Sequence, residues 1–311
     1  MLPLSGRLTR PGTCSFSTRL NASSIKQRRT KQGKQARQEV SELRSACYVL
    51  LGLRGQSMPL SIQAGLWGLL SGSALVLGAA IAYFVSLPPR VIAAVMAFGS
   101  GVLISALSFD LMDEAYRTGG IVSTSAGFLA GAAIYTAANI IVSRRGAKHR
   151  KRSGHAPDAR QQSADEGGGL AIALGALLDG IPEGIVIGVS LLSGEGVGIV
   201  AVAAVFLSNL PEGLSSAAGM RKAGRSPFYI FGIWGGIALA SGVAALIGYW
   251  AFAGASPSVM AGVTALAAGA ILAMLADTMN PEAFETAHDF AGLITVAGFL
   301  AAFILSRTAG A

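Results

Sequence analysis

From Leu60 to Leu305 the chain is written as long apolar runs separated by short polar breaks. Leu87-Pro88-Pro89-Arg90, Thr118-Gly119-Gly120, Ser193-Gly194-Glu195-Gly196 and Gly254-Ala255-Ser256-Pro257 are such breaks. Their prolines and glycines end helices or supply turn conformations. The runs predict eight helices, near Leu60–Phe84, Val91–Met112, Ile121–Val142, Leu170–Leu192, Val197–Gly219, Phe228–Ala253, Ser258–Met279 and Phe290–Leu305. Each holds roughly 20 residues, enough to cross a hydrocarbon core of about 30 Å. The expected fold is an all-α membrane protein with eight transmembrane helices, occupying residues 58–311.

The fourth and fifth runs carry the same kind of polar insert. One reads Asp179-Gly180-Ile181-Pro182-Glu183-Gly184 and the other Ser208-Asn209-Leu210-Pro211-Glu212-Gly213. Both lie near the middle of their runs, where a carboxylate costs about 2.5–3.5 kcal/mol on insertion scales. Asp179, Glu183 and Glu212 together reach roughly 8–10 kcal/mol, comparable to the stability of a whole domain. A chain that keeps them at one depth needs positive charge between them. Proline inside a helix also releases the carbonyl four residues back, here those of Leu178 and Leu207. Asp179 and Glu183 are spaced i,i+4 and share a helical face, as do Ser208 and Glu212, with Asn209 one step round. Opposed, the two faces offer carboxylates, an amide oxygen, a hydroxyl and loose carbonyls, which is an oxygen-rich cage for a divalent cation. A single Pro-Glu-Gly reads more plainly as a kink with a snorkelling glutamate. Two copies at one depth favour the cage.

A second internal likeness joins the second run to the seventh. Gly101–Ala115 aligns without gaps on Gly269–Ala283, with Glu114-Ala115 matching Glu282-Ala283. Runs two and seven cross in opposite senses, as do runs four and five. This is the pattern of an inverted-topology repeat, spans one to three and six to eight around spans four and five, whose sites form near the midplane on interrupted helices. The plainer reading is that Gly- and Ala-rich helices align by chance.

Composition agrees with a membrane body: of 311 residues 52% are hydrophobic and only 13% charged, against about 25% charged in soluble domains. The net charge of +8 does not point to nucleic acid, because eleven of the 24 Lys and Arg precede Met58, with only Glu39 and Glu42 among them. Residues 1–57 have no period that buries a face and are expected to be disordered. They have three readings: an extension upstream of a true start at Met58, an Arg- and Ser-rich organellar transit peptide, or a cytoplasmic tail. Cys14 and Cys47 lie in the same segment, so the membrane body has no thiolate for a disulfide or a metal.

Topology follows from the cations. Arg144, Arg145, Lys148, Arg150, Lys151, Arg152 and Arg160 sit in the loop Ser143–Gly168, and Arg221, Lys222 and Arg225 join runs five and six. Positive loops stay cytoplasmic, so an even number of spans puts both termini outside. That conflicts with a basic tail kept in the cytoplasm and favours the upstream-extension reading. The expected location is the plasma (inner) membrane, or an organellar membrane if the tail is a transit peptide.

Other polar residues are weaker candidates. Asp110, Asp113 and Glu114 end the second run, and Asp277 and Glu282 end the seventh. Asp110 and Asp277 lie deepest and are the candidates for an ion path; helix-end acids in headgroup water are the plainer reading. His149 and His155 among the loop arginines read as solvated.

Leu-Asp-Gly-Ile-Pro-Glu-Gly and Ser-Asn-Leu-Pro-Glu-Gly resemble the fourth and fifth spans of the ZIP (Zrt/Irt-like) metal transporters, which carry a His-Asn-x-Pro-Glu-Gly type motif in both. The resemblance extends over about residues 58–306, including eight spans, external termini, a charged third-to-fourth loop and an acidic, proline-broken end to span seven. It implies carriage of a divalent metal, commonly zinc, iron or manganese, into the cytoplasm. By position Asp179 stands where the fourth-span histidine is, and Glu183 matches its glutamate. Ser208 stands for the fifth-span histidine, Asn209 holds the next polar position, and Glu212 matches the fifth-span glutamate. Gly180 replaces the fourth-span asparagine. Ser241 stands at the sixth-span glutamate, which puts a second, adjoining metal position in doubt.

The expected function is therefore divalent-cation transport, with the cation (zinc, manganese or iron) as substrate, no resident cofactor, no enzymatic activity and no nucleic-acid partner. The lipid bilayer is the other partner, and a homodimer is compatible with the sequence. No nucleotide-binding Gly-x-x-x-x-Gly-Lys-Ser/Thr is present. Competing readings are a ZIP-shaped sensor or scaffold that does not transport, and an intramembrane aspartyl peptidase with Asp179 and Asp277 as its dyad. Loss of both imidazoles removes the ligand that favours zinc, copper or nickel and leaves hard oxygen. Uptake with manganese and zinc side by side should favour manganese; a clear zinc preference overturns the hard-oxygen expectation.

Overall fold

Backbone groups in hydrocarbon must be satisfied within the segment that carries them, and every regular element among the described residues is helical. The computed structural model describes residues 58–144, 166–193 and 198–309. The basic tail 1–57 and the loop histidines His149 and His155 lie outside the described residues, as does most of the Ser193–Gly196 break. The long helices are α1 (Leu60–Phe84), α2 (Pro89–Ala106), α3 (Met112–Val142), α4 (Glu166–Ser190), α5 (Ile199–Lys222), α6 (Pro227–Phe252) and α7 (Pro257–Met274), followed by the short α8 (Asn280–Ala287) and α9 (Ala291–Ala309). Among the described residues, seven helical stretches are long and apolar enough to cross a membrane. The chain thus has the make-up of an all-α, multi-pass membrane protein.

One of these stretches, Pro89–Val142, has 54 residues, about 80 Å if straight at 1.5 Å per residue. It breaks at Gly120, whose φ of 72° and ψ of −179° are not helical. Only glycine takes that backbone without a steric penalty, and it falls at the expected Thr118-Gly119-Gly120 break. Gly254, with φ of 82°, marks another expected break. Pro88-Pro89 and Ser256-Pro257 start α2 and α7 with proline at the first helical position, where its missing N–H is not needed.

Two boundaries depart from the sequence reading. The helices do not end at Met112 and Met279 but continue, to Gly119 and to Ala287. Asp113 and Glu114 are therefore inside a helix, and Asp113 pairs at 2.9 Å with Arg117 one turn on. Glu282 is not at a helix end in headgroup water either: it is buried, at 6% exposure. Hydropathy stops where side chains become polar, whereas helical hydrogen bonds continue wherever i,i+4 pairs and packing support them.

The continuation runs through a feature that hydropathy does not signal. α2 and α7 each have 18 residues and each pass into a five-residue π-helical turn, Leu107–Leu111 and Leu275–Met279. Each turn carries one aspartate, Asp110 or Asp277. These turns occupy equivalent places in the aligned segments Gly101–Ala115 and Gly269–Ala283. π turns are rare and concentrate at functional sites.

Glycines bring the helices together in two matching sets. Gly101 of α2 lies against the carbonyl of Thr295 in α9, and Gly269 of α7 against that of Phe128 in α3. Gly213 of α5 lies against Leu75 of α1, and Gly188 of α4 against Ala245 of α6. Close backbone approach is how helices gain van der Waals contact where lipid offers no hydrophobic drive. Buried side chains such as Leu75, Met96, Tyr135, Met220 and Trp234 fill the remaining space.

A Cβ at Gly131 would run into the backbone of Leu266, while one at Gly236 would meet nothing within 4 Å. Gly131→Ala should therefore lower thermal stability in detergent by about 1–3 kcal/mol, the usual cost of overpacking. Gly236→Ala should leave it unchanged or raise it slightly, because alanine favours the helix.

Candidate functional site

The polar inserts lie within continuous helices, Pro182 inside α4 and Pro211 inside α5. The glycine that closes each insert sets its position. A Cβ at Gly184 would stand 2.8 Å from the Ser241 carbonyl of α6, and Gly213 lies on the backbone of Leu75 in α1. Each motif is thus held by a neighbouring helix at the turn that carries its glutamate.

All five motif side chains expected to form the site are buried. Asp179, Glu183, Ser208 and Asn209 are each 2% exposed and Glu212 is 4% exposed. The Ser208 hydroxyl donates to the Val205 carbonyl at 2.9 Å and stands 3.5 Å from Glu183 Oε1. That contact joins the two inserts. Asp179 lies one turn from Glu183 on α4, and Glu212 one turn from Ser208 on α5, about 6 Å of rise in each case. With its proton directed at a backbone carbonyl, the hydroxyl keeps its lone pairs for other company. Adjacent oxygens of an octahedral cation stand about 3.0–3.5 Å apart for metal–oxygen bonds of 2.1–2.4 Å. The Ser208–Glu183 spacing is of that size.

Asn209 is oriented by α1: its amide nitrogen donates to the Ser71 carbonyl at 3.1 Å. Asp179 is oriented by α3, where Tyr135 donates its hydroxyl to Oδ1 at 2.7 Å. Tyr135 is itself 1% exposed. The sequence reading did not include it, although Tyr135 and Asn139 are an i,i+4 polar pair within an apolar run and that spacing was available as a signal. Asn139 donates to Asp277 Oδ2 at 3.3 Å. Asp277 is exposed, so one helix carries a donor to an exposed aspartate and, one turn away, a donor to a buried one.

Asp110 lies elsewhere. Its Oδ1 accepts a hydrogen bond from Ser306 of α9 at 2.7 Å. The next residue, Arg307, packs over the rings of Phe109 and Phe303, 5.6 and 5.2 Å from their centres. The two π turns are therefore treated alike: each aspartate is tied to the helix that closes the opposite half of the chain.

A Cβ at Gly180 would stand 3.3 Å from Ser241 Oγ. The Ser241 hydroxyl donates to its own helix, at the Ile237 carbonyl.

Among the described residues, no group of three or more His, Cys, Asp and Glu side chains could hold a metal ion as they stand. The oxygen set expected from the sequence includes Ser208 and Asn209 as well as the carboxylates. No family model matches the chain, and no curated protein matches it.

Asn209→Ala removes the bond that ties α5 to the Ser71 carbonyl. It should lower unfolding stability in detergent by about 0.5–1.5 kcal/mol, the net worth of a typical hydrogen bond.

Proposed function

We infer that this protein is a transporter of divalent cations, of ZIP type, moving them across the membrane toward the cytoplasm. The observation that carries the reading is the burial of Asp179, Glu183 and Glu212 with Ser208 and Asn209 on two proline-containing helices, with Ser208 against Glu183. Carboxylates buried in this way lose hydration. A divalent cation supplies the charge that suits them, and oxygen donors suit manganese, ferrous iron or magnesium better than zinc.

The proposed architecture has eight spans, Pro89–Val142 contributing two around Gly120, arranged as inverted repeats. The matched π turns, the equal lengths of α2 and α7 and the paired glycine contacts support it. With the basic loops cytoplasmic, Asp110 lies toward the outer end and Asp277 toward the cytoplasmic end. A cation leaving the cluster passes from buried Asp179 to exposed Asp277, along donors one turn apart on α3.

The peptidase reading needs two aspartates sharing a proton at about 3 Å. Asp179 and Asp277 are instead held by separate donors, Tyr135 and Asn139. A non-transporting sensor would keep the buried cluster without a path, and transport measurements separate it from a carrier.

The test is uptake of manganese, iron(II), zinc and magnesium by the purified protein in liposomes. Glu183→Ala and Glu212→Ala should each reduce uptake at least tenfold, as loss of a carboxylate ligand of a desolvated ion implies. Cation binding without uptake would favour the sensor, and uptake indifferent to both substitutions would remove the site.

A further inference from the structure

Asp179 is held by a side chain from α3, and the hold is on a named oxygen. We propose that Tyr135 is a specificity-determining residue of the cation site: by occupying Asp179 Oδ1 it makes Asp179 a one-oxygen ligand and so disfavours calcium relative to smaller divalent ions. The inference rests on the transport reading above.

Three observations combine. The Tyr135 hydroxyl lies 2.7 Å from Asp179 Oδ1, within the ordinary range of a hydroxyl hydrogen bond. Tyr135 is 1% and Asp179 2% exposed, so water does not compete for the bond, and a phenol that swung away would leave a buried donor unpaired. Tyr135 also sits on α3, while Glu183, Ser208 and Glu212 sit on α4 and α5. The group that fixes Asp179 therefore comes from a helix that supplies no other member of the cluster.

The consequence follows from coordination chemistry. Calcium takes six to eight oxygens at about 2.3–2.6 Å and commonly gains the extra ones by bidentate carboxylates. Magnesium keeps near-octahedral geometry at about 2.0–2.1 Å, and one oxygen from each carboxylate serves it. The Tyr135 hydroxyl takes one lone pair of Oδ1 and competes with a two-oxygen approach to Asp179, leaving the smaller ions little affected. Gly180 and Ser241, packed together beside the cluster, add no carboxylate that would restore the count.

The experiment compares wild type, Tyr135→Phe, Asp179→Asn and the double variant in liposomes. Manganese uptake is measured in competition with calcium and with magnesium, and manganese binding to the detergent-solubilised protein is read separately from the spin-resonance signal of the free ion. Tyr135→Phe should improve calcium as a competitor about tenfold relative to magnesium, the ratio one hydrogen bond to a charged group is worth. In the Asp179→Asn background, where no bidentate carboxylate exists, the same change should do nothing. An unchanged calcium-to-magnesium ratio in Tyr135→Phe, or an equal change in both backgrounds, overturns the assignment while leaving transport intact. Wild-type protein that neither binds nor takes up manganese overturns the transport reading itself, and this inference with it. If Tyr135→Phe unfolds in a thermal scan, Tyr135→Leu, which also lacks the donor, is held to the same outcomes.

Discussion

Burying carboxylates among apolar helices is the constraint on which the rest of this structure depends. Each of Asp179, Glu183 and Glu212 gives up water that would stabilise its charge. The surrounding helices are organised so that the loss is bounded. Tyr135 donates to one aspartate oxygen, and Ser208 lies beside one glutamate oxygen. Asn209 is anchored to α1 through Ser71, so the polar residues of the inserts are tied to each other and to two neighbouring helices, α3 and α1. Polar groups arranged in this way specify one packing of the helices more sharply than apolar surface does, because any slip leaves a buried group unmatched.

Glycine supplies the complementary half of the arrangement. In hydrocarbon, apolar side chains gain little by leaving lipid, and close backbone approach becomes the source of cohesion. Gly184 and Gly213 do this within the inserts, against α6 and α1. The motif is thus one unit with two tasks: its glutamate carries charge and its glycine fixes the depth at which the charge is held. Proline precedes both and frees a backbone carbonyl that buried protein, though not lipid, can accommodate.

The two π turns share a geometry while their chemistry diverges. Both follow an 18-residue helix, and both present an aspartate. One aspartate meets a serine beside an arginine stacked on phenylalanines, and the other meets an asparagine and water. The same backbone device therefore yields one end with a cation already fixed nearby, and another end open to solvent. Such asymmetry suits a protein whose two ends face different compartments.

The apolar runs and their breaks at Gly120 and Gly254 were legible in the sequence, because hydropathy and turn chemistry are local properties. The π turns, the continuation of α2 and α7 beyond their apolar runs and the burial of Glu282 were not. They depend on hydrogen bonding and packing that polarity does not report. Tyr135 is the clearest case. Forty-four residues separate it from Asp179, and only the crossing of α3 and α4 makes them neighbours. The approach of Gly180 to Ser241 is another: only the packing of α4 against α6 brings them together.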